Sequence, residues 1–182
     1  MNIEDAFKIY FKKQYDYWQS SYGSSPRIPF NKSIDKHMII PDSLNNGYIQ
    51  WQPLRQEVSI DLSDLEQRFN FSIHAKIRQY FTSYWFLSLD GAIGNITLDF
   101  CSIPYGIDIP KLIEECYTIG AKNSPSGSTY FAFGYASVDG DDSYLIFVDN
   151  KTADVLCVQL EDDIVIELCS LEKVISEMDV VM

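Results

Sequence analysis

Soft metal ligands are scarce in this chain: 182 residues hold two histidines and four cysteines. Cys101, Cys116, Cys157 and Cys169 stand 15, 41 and 12 positions apart, with no C-x-x-C pair. Only His37 and His74 could complete a site, so no zinc centre or other metal site is expected. A catalytic triad would have to use one of the same two histidines. His74 precedes an apolar helical pattern beside Ile73 and Ile77, where capping is the ordinary role. The sequence also lacks G-x-G-x-x-G, G-x-x-x-x-G-K and G-x-S-x-G, and with them the usual signals of nucleotide and ester chemistry. No apolar run approaches the roughly 20 residues of a membrane helix.

Basic residues are the other shortage. Lys and Arg number 14 against 26 Asp and Glu, for a net charge of −12. Residues 139–182 alone hold 12 acids against Lys151 and Lys173. A field of that sign repels nucleic acid and anionic lipid and draws basic partners, with a strength that falls with salt. The opening "MNIEDAFKIYFKKQYDYW" has acids before its first lysine and no apolar centre of the signal-peptide kind, which predicts a cytoplasmic protein. The cysteines then read as small buried apolar residues.

What is present is the composition of a packed globular chain, 46% hydrophobic and 14% aromatic. A chain of this length buries roughly 70% of the surface its unfolded form exposes. Ile3, Phe7, Tyr10, Phe11 and Trp18 predict an amphipathic helix over residues 3–21, with Lys8, Lys12 and Lys13 on its wet side. Prolines 26 and 29 predict a loop that runs to Lys36. "HMII" reads as a strand, and "NNG" before "YIQWQP" as the turn of a hairpin. "DLSDLEQRF" predicts a helix capped by Asp61 or Ser63, buried through Leu62, Leu65 and Phe69. A second helix carries Ile77, Tyr80, Phe81, Tyr84 and Trp85. A strand from Ile93 to Phe100 follows, then a helix from Ile109, a loop over residues 121–128, four short apolar strands in an antiparallel meander, and a last helix capped by Ser170. No linker or repeat divides the chain, which predicts one domain over residues 1–182. The expected class is α+β, with a mixed, mainly antiparallel sheet packed against several helices.

Three stretches invite a functional reading. "VDGDDS", residues 138–143, resembles the start of a calcium loop, but the position for a bidentate acid holds Asn150 and strands flank it, so a solvated hairpin tip is the first reading and a chance cation site the second. "LEDDIVIEL" crowds Glu161, Asp162 and Asp163 into a turn with no lysine nearby in sequence, either as a plain polar turn or as acids awaiting a partner's cation. Trp51 is a core residue of a hairpin or, less in keeping with its setting, an exposed anchor.

Taken in order, "YIQWQP", "DLEQRFNFSIHAKIRQYFTSYW" and "GNITLDF" resemble the Syd family, proteins that interact with the translocon subunit SecY, and more broadly the SUKH superfamily. The resemblance is clearest from Tyr48 to about Phe100. Its framework maps onto Trp51, Pro53, Leu65, Glu66, Phe69, Ile77, Tyr80 and Phe81. Where the family pattern has a proline closing the extended segment and a small-residue step with an Asp after the second helix, this chain has Ala75 and Phe86-Leu87-Ser88. The resemblance implies an α+β binding protein with no enzyme activity and no cofactor. Its partner would be the basic cytoplasmic loops of SecY, met peripherally on the cytoplasmic face of the inner membrane. The charge argument nominates Asp139, Asp141, Asp142, Glu161, Asp162 and Asp163 as the residues that meet it. The wider superfamily implies a second partner class, a basic toxin domain that an immunity protein would neutralise.

Overall fold

The computed structural model describes residues 1–123, 129–162 and 164–181. Its elements run α1 (Ile3–Tyr22), β1 (Arg27–Pro29), a 3-10 turn (Lys36–Met38), β2 (Tyr48–Gln50), β3 (Leu54–Arg55), α2 (Ser63–Phe69), α3 (Ala75–Ser83), β4 (Tyr84–Trp85) and β5 (Asp90–Ile93). They continue through β6 (Ile96–Phe100), α4 (Ile109–Asn123), β7 (Tyr130–Val138), β8 (Asp141–Asp149), β9 (Asp154–Gln159), β10 (Ile164–Ser170) and α5 (Leu171–Glu177). Helices and an antiparallel sheet make the class α+β, as the sequence predicts.

α1 forms because Asn2 Oδ1 accepts the Asp5 N–H at 2.8 Å and apolar side chains recur every three to four residues. Ile3, Ala6, Phe7, Tyr10 and Phe11 are buried. The helix ends at Gly23, whose N–H bonds the Gln19 carbonyl at 3.0 Å. Lys13 departs from the expected wet face: its Nζ donates to the Ser176 carbonyl at 2.8 Å and lies 3.4 Å from those of Glu177 and Met178. A cation suits these carbonyls, where the α5 dipole is negative. This contact joins the first helix to the last.

The main sheet has the order β10-β9-β8-β7-β6-β5, antiparallel at every step. Along β6 the burial alternates, with Ile96, Leu98 and Phe100 inward and Thr97 and Asp99 outward. The helices cover the inward face. α4 crosses β7 at Gly120, where a Cβ would collide with the Tyr130 carbonyl, so the close approach requires glycine. Tyr80 and Phe81 from α3 meet Phe133 of β7 with ring centroids 4.6 and 5.2 Å apart, and Phe7 of α1 reaches Tyr80 at 5.5 Å. Each such buried ring contributes roughly 1.5–3 kcal/mol by burial alone. Trp51 belongs to the same core, 1% exposed.

Several local expectations change. The supposed loop after residue 23 contains β1, which pairs with β2 in register Ile28↔Ile49, so the partner of "YIQ" lies upstream of "HMII". Pro29 is tolerated because this two-stranded ribbon is all edge. "HMII" itself is the 3-10 turn followed by a single bridge, Ile39↔Trp51. The second helix stops at Ser83, since Tyr84 and Trp85 turn extended to pair with Arg55 and Leu54. The stretch read as one strand to Phe100 is a hairpin, β5 and β6, turned at Gly94-Asn95. Ser170 does hold the cap position of α5, but its side chain makes no capping bond. Of the loop expected over residues 121–128, the first three positions continue α4 to Asn123, and residues 124–128 lie outside the described residues.

Candidate functional site

α2 and α3 meet through one carboxylate. Glu66 Oε1 accepts the Ile73 N–H at 2.7 Å and an Arg78 guanidinium N–H at 2.6 Å, which fixes the bend between the helices. Asp61 Oδ1 accepts the Ser63 N–H at 2.9 Å at the head of α2. His74 Nδ1 accepts the Lys76 N–H at 3.2 Å as the cap of α3. Asn150, in the turn after β8, donates to the Ser72 carbonyl and accepts from the His74 N–H, at 2.9 and 2.8 Å. The framework residues Leu65, Ile77, Tyr80 and Phe81 are buried beneath, and Phe69 packs on Tyr117 at 4.4 Å. Their geometry is that of a scaffold.

The other groups able to do chemistry are similarly tied down. His37 Nδ1 lies 2.6 Å from Asp35 Oδ1, and the two hydrogen bonds from His37 hold the Asp35 carboxyl below its ordinary range. Tyr80 O–H donates to the Cys101 carbonyl at 2.8 Å. A hydrogen bond with Cys101, together with burial, raises the Cys116 thiol well above its usual range, and burial pushes Cys157 up to about 12. Protonated thiols are poor nucleophiles and metal ligands. Among the described residues no group of three or more His, Cys, Asp and Glu could hold a metal ion. A cleft of about 370 Å³ between β3 and α3 carries both signs of charge, but its cations are internally matched, Arg55 to Glu4 at 3.1 Å and Arg78 to Glu66.

The acids of the meander are arranged differently. Asp139 and Gly140 turn β7 into β8 with φ of 51° and 85°, a pair of left-handed residues matched to a two-residue hairpin. Val138↔Asp141, Tyr144↔Gln159 and Ile164↔Gln159 then put the β7-β8 and β9-β10 turns at one end of the sheet. The β5-β6 turn is there too, because the Asp139 N–H bonds the Asn95 carbonyl at 3.1 Å. Gln159 ties the two acidic turns together, its Nε2 donating to Asp141 Oδ2 at 2.8 Å and Ser143 Oγ at 2.9 Å. The Ser143 hydroxyl and N–H hold the Asp141 carboxyl below its ordinary range. So "VDGDDS" is a hairpin tip.

Asp139, Asp141, Asp142, Glu161 and Asp162 are all exposed at that end, and Asp163 lies outside the described residues. Two strand spacings, about 10 Å, separate the centres of the turns. That is somewhat more than the Debye length of about 8 Å at physiological salt, so the two turns act on each other weakly there and more strongly at low ionic strength. The basic side chains that pair do so elsewhere, Lys12 with Asp16, Arg68 with Glu114 and Lys76 with Glu172, and among the described residues none reaches these five acids. Sequence reasoning located the acids but not their common end, which depends on register; it missed the role of Gln159, a polar residue with no motif around it.

The family model described as Syd protein (SUKH-2) matches residues 4–117. That is well over half of the chain, which therefore belongs to the Syd family of the SUKH superfamily. Comparison with curated proteins finds no match. The matched stretch takes in Trp51, Pro53, the Glu66 clamp and α3, and stops before the meander that carries the acidic turns. Syd and SUKH proteins are not known as enzymes. Among the described residues no helix is long and apolar enough to cross a membrane.

Proposed function

We propose that the chain is a single Syd-like domain over residues 1–182 that acts by binding, without catalysis or cofactor, in the cytoplasm. Its acidic sheet end, Asp139, Asp141, Asp142, Glu161 and Asp162 with Asp163 beside them in sequence, meets the Lys- and Arg-rich cytoplasmic loops of SecY and brings the protein to the inner face of the membrane. The observation that carries this reading is the gathering of exposed carboxylates at one end of the sheet, with no cationic partner among the described residues. Two such charges 10 Å apart repel by roughly 0.4 kcal/mol in water, a cost that a basic partner reverses. Family membership supports the partner class, since cytoplasmic loops of membrane proteins are rich in Lys and Arg.

The test is binding of the purified protein to membrane vesicles with and without SecY, at low and high salt, beside a variant with all six acids changed to Asn or Gln. Salt-sensitive, SecY-dependent binding that the variant loses is the expected result. Binding that the variant retains with unchanged salt dependence defeats the assignment of these acids. No binding by the folded protein defeats the SecY reading and turns attention to a basic toxin domain as the partner.

A further inference from the structure

The two edges of the main sheet are treated differently. At β5 the outer edge is occupied by the C-terminal segment: Ala92 N–H donates to the Asp179 carbonyl at 2.8 Å, and Asp179 N–H returns a bond to Ala92 at 2.9 Å. At the other edge, among the described residues β10 pairs with β9 alone. Natural edges are usually blunted by lysine, proline or a bulge. From Ile164 to Cys169 this strand has neither lysine nor proline; its one charge, Glu167, and its one irregularity, between Glu167 and Ser170, both come late. Ile164 to Glu167 therefore stay in regular register, an open edge of about 13 Å along which alternate residues turn their N–H and C=O away from β9.

We propose that this edge docks an extended segment of a partner protein by strand addition, and that the segment has β-branched or apolar residues in its middle and Lys or Arg at both ends. The apolar middle follows from the surface it would lie along. Val165, 40% exposed, stands opposite Val158, then Leu145, then Tyr135, which is 66% exposed, so an apolar row on the face away from the helices runs out to the edge. The basic ends follow from charge: Glu161 and Asp162 stand at one end of β10, and Glu167 with Asp154, opposite Ser170, at the other. The same charges turn away a second copy, since edge-to-edge pairing would set these acids against their equivalents on a chain of net charge −12. Main-chain bonds supply affinity in such a complex and alternate side chains supply selectivity. The inference goes beyond the acidic-end reading and can stand or fall without it.

The probe is a synthetic octapeptide, Lys-Arg-Val-Thr-Val-Thr-Arg-Lys, beside the same sequence N-methylated at alternate residues in each of the two phases. Amide resonances and hydrogen exchange of the full chain are followed by NMR. The expected result is shifts centred on residues 164–167 and at least tenfold slower exchange of the outward amides there. At least one N-methylated peptide of equal charge should abolish the effect. In the variant with Asp139, Asp141, Asp142, Glu161 and Asp162 neutralised, weaker binding with the same footprint and the same N-methyl sensitivity still supports strand addition and isolates it from the SecY assignment. Shifts confined to residues 139–142 and 161–162, an equal response to all three peptides, no response at millimolar peptide, or concentration-dependent dimers formed through β10 without peptide would each overturn it.

Discussion

Replacing Glu66 by alanine should destabilise the fold by about 2–3 kcal/mol while leaving the acidic sheet end untouched. The larger part is the bond from the Ile73 N–H, made to a charged acceptor and worth roughly 1.5–3 kcal/mol. The smaller part is the ion pair with Arg78. Its side chain is 41% exposed, so solvent screens the pair and about 0.5 kcal/mol is a fair share. For a chain of this length that total lowers Tm by about 5–10 °C. Glu66→Gln keeps an acceptor for Ile73 and loses only the charge, so it should cost about 1 kcal/mol. Urea unfolding followed by circular dichroism measures both, and a double-mutant cycle with Arg78→Ala isolates the ion pair. A loss under 1 kcal/mol for alanine, or equal losses for alanine and glutamine, would refute the clamp. A folded Glu66→Ala protein that no longer bound its partner would move Glu66 from scaffold to contact surface.

Gly120→Ala should cost about 1–3 kcal/mol or more, read from the same unfolding curves, because the new methyl meets the rigid backbone of β7 rather than a side chain that could swing away. Asp99→Asn should raise stability at neutral pH, since burial and the facing Asp90 push the folded Asp99 carboxyl above its unfolded value; the gain should vanish as the pH falls below about 4. Alkaline pH should unfold the protein early. Cys157, Tyr10 and Tyr80 all have raised values when folded, so the unfolded chain loses their protons first and stability falls from about pH 9 upward, by the unfolded values of thiol and phenol. A pH titration of the unfolding midpoint that stayed flat from pH 8 to 11 would contradict this.

What could be read from the sequence was whatever depends on neighbours along the chain. The α1 stripe, the α2-to-α3 pattern, the Asp139-Gly140 turn and the capping role of His74 are local, and each is found where the residues point. The errors fall where a distant partner decides. Tyr84 and Trp85 keep helical spacing yet turn extended because Leu54 and Arg55 offer a strand to pair with. Ile93 and Ile96 read as one apolar run across Gly94-Asn95 because both suit a strand, and only the pairing of Asp90 with Asp99 reveals the reversal. The acids were visible as a composition bias, whereas their meeting at one end rests on a two-strand register that no single run encodes. Glu66 was legible as part of a family framework, but its work, holding Ile73 seven residues on, needed the bend to be seen.

The bond from Lys13 to the end of α5 spans 163 positions, and α1 packs against that last helix. During synthesis, at about 5–20 residues per second, the first helix therefore waits roughly 10–35 s for the final element to be made. Phe7 and Phe11 find aromatic partners much earlier, in Tyr80, Tyr84 and Phe86, whereas Lys13 waits for the carbonyls of Ser176 to Met178. The junction between α1 and α5 is therefore among the last to form, and a chain that stalls before residue 171 leaves Lys13 and the side of α1 that meets α5 without their partner.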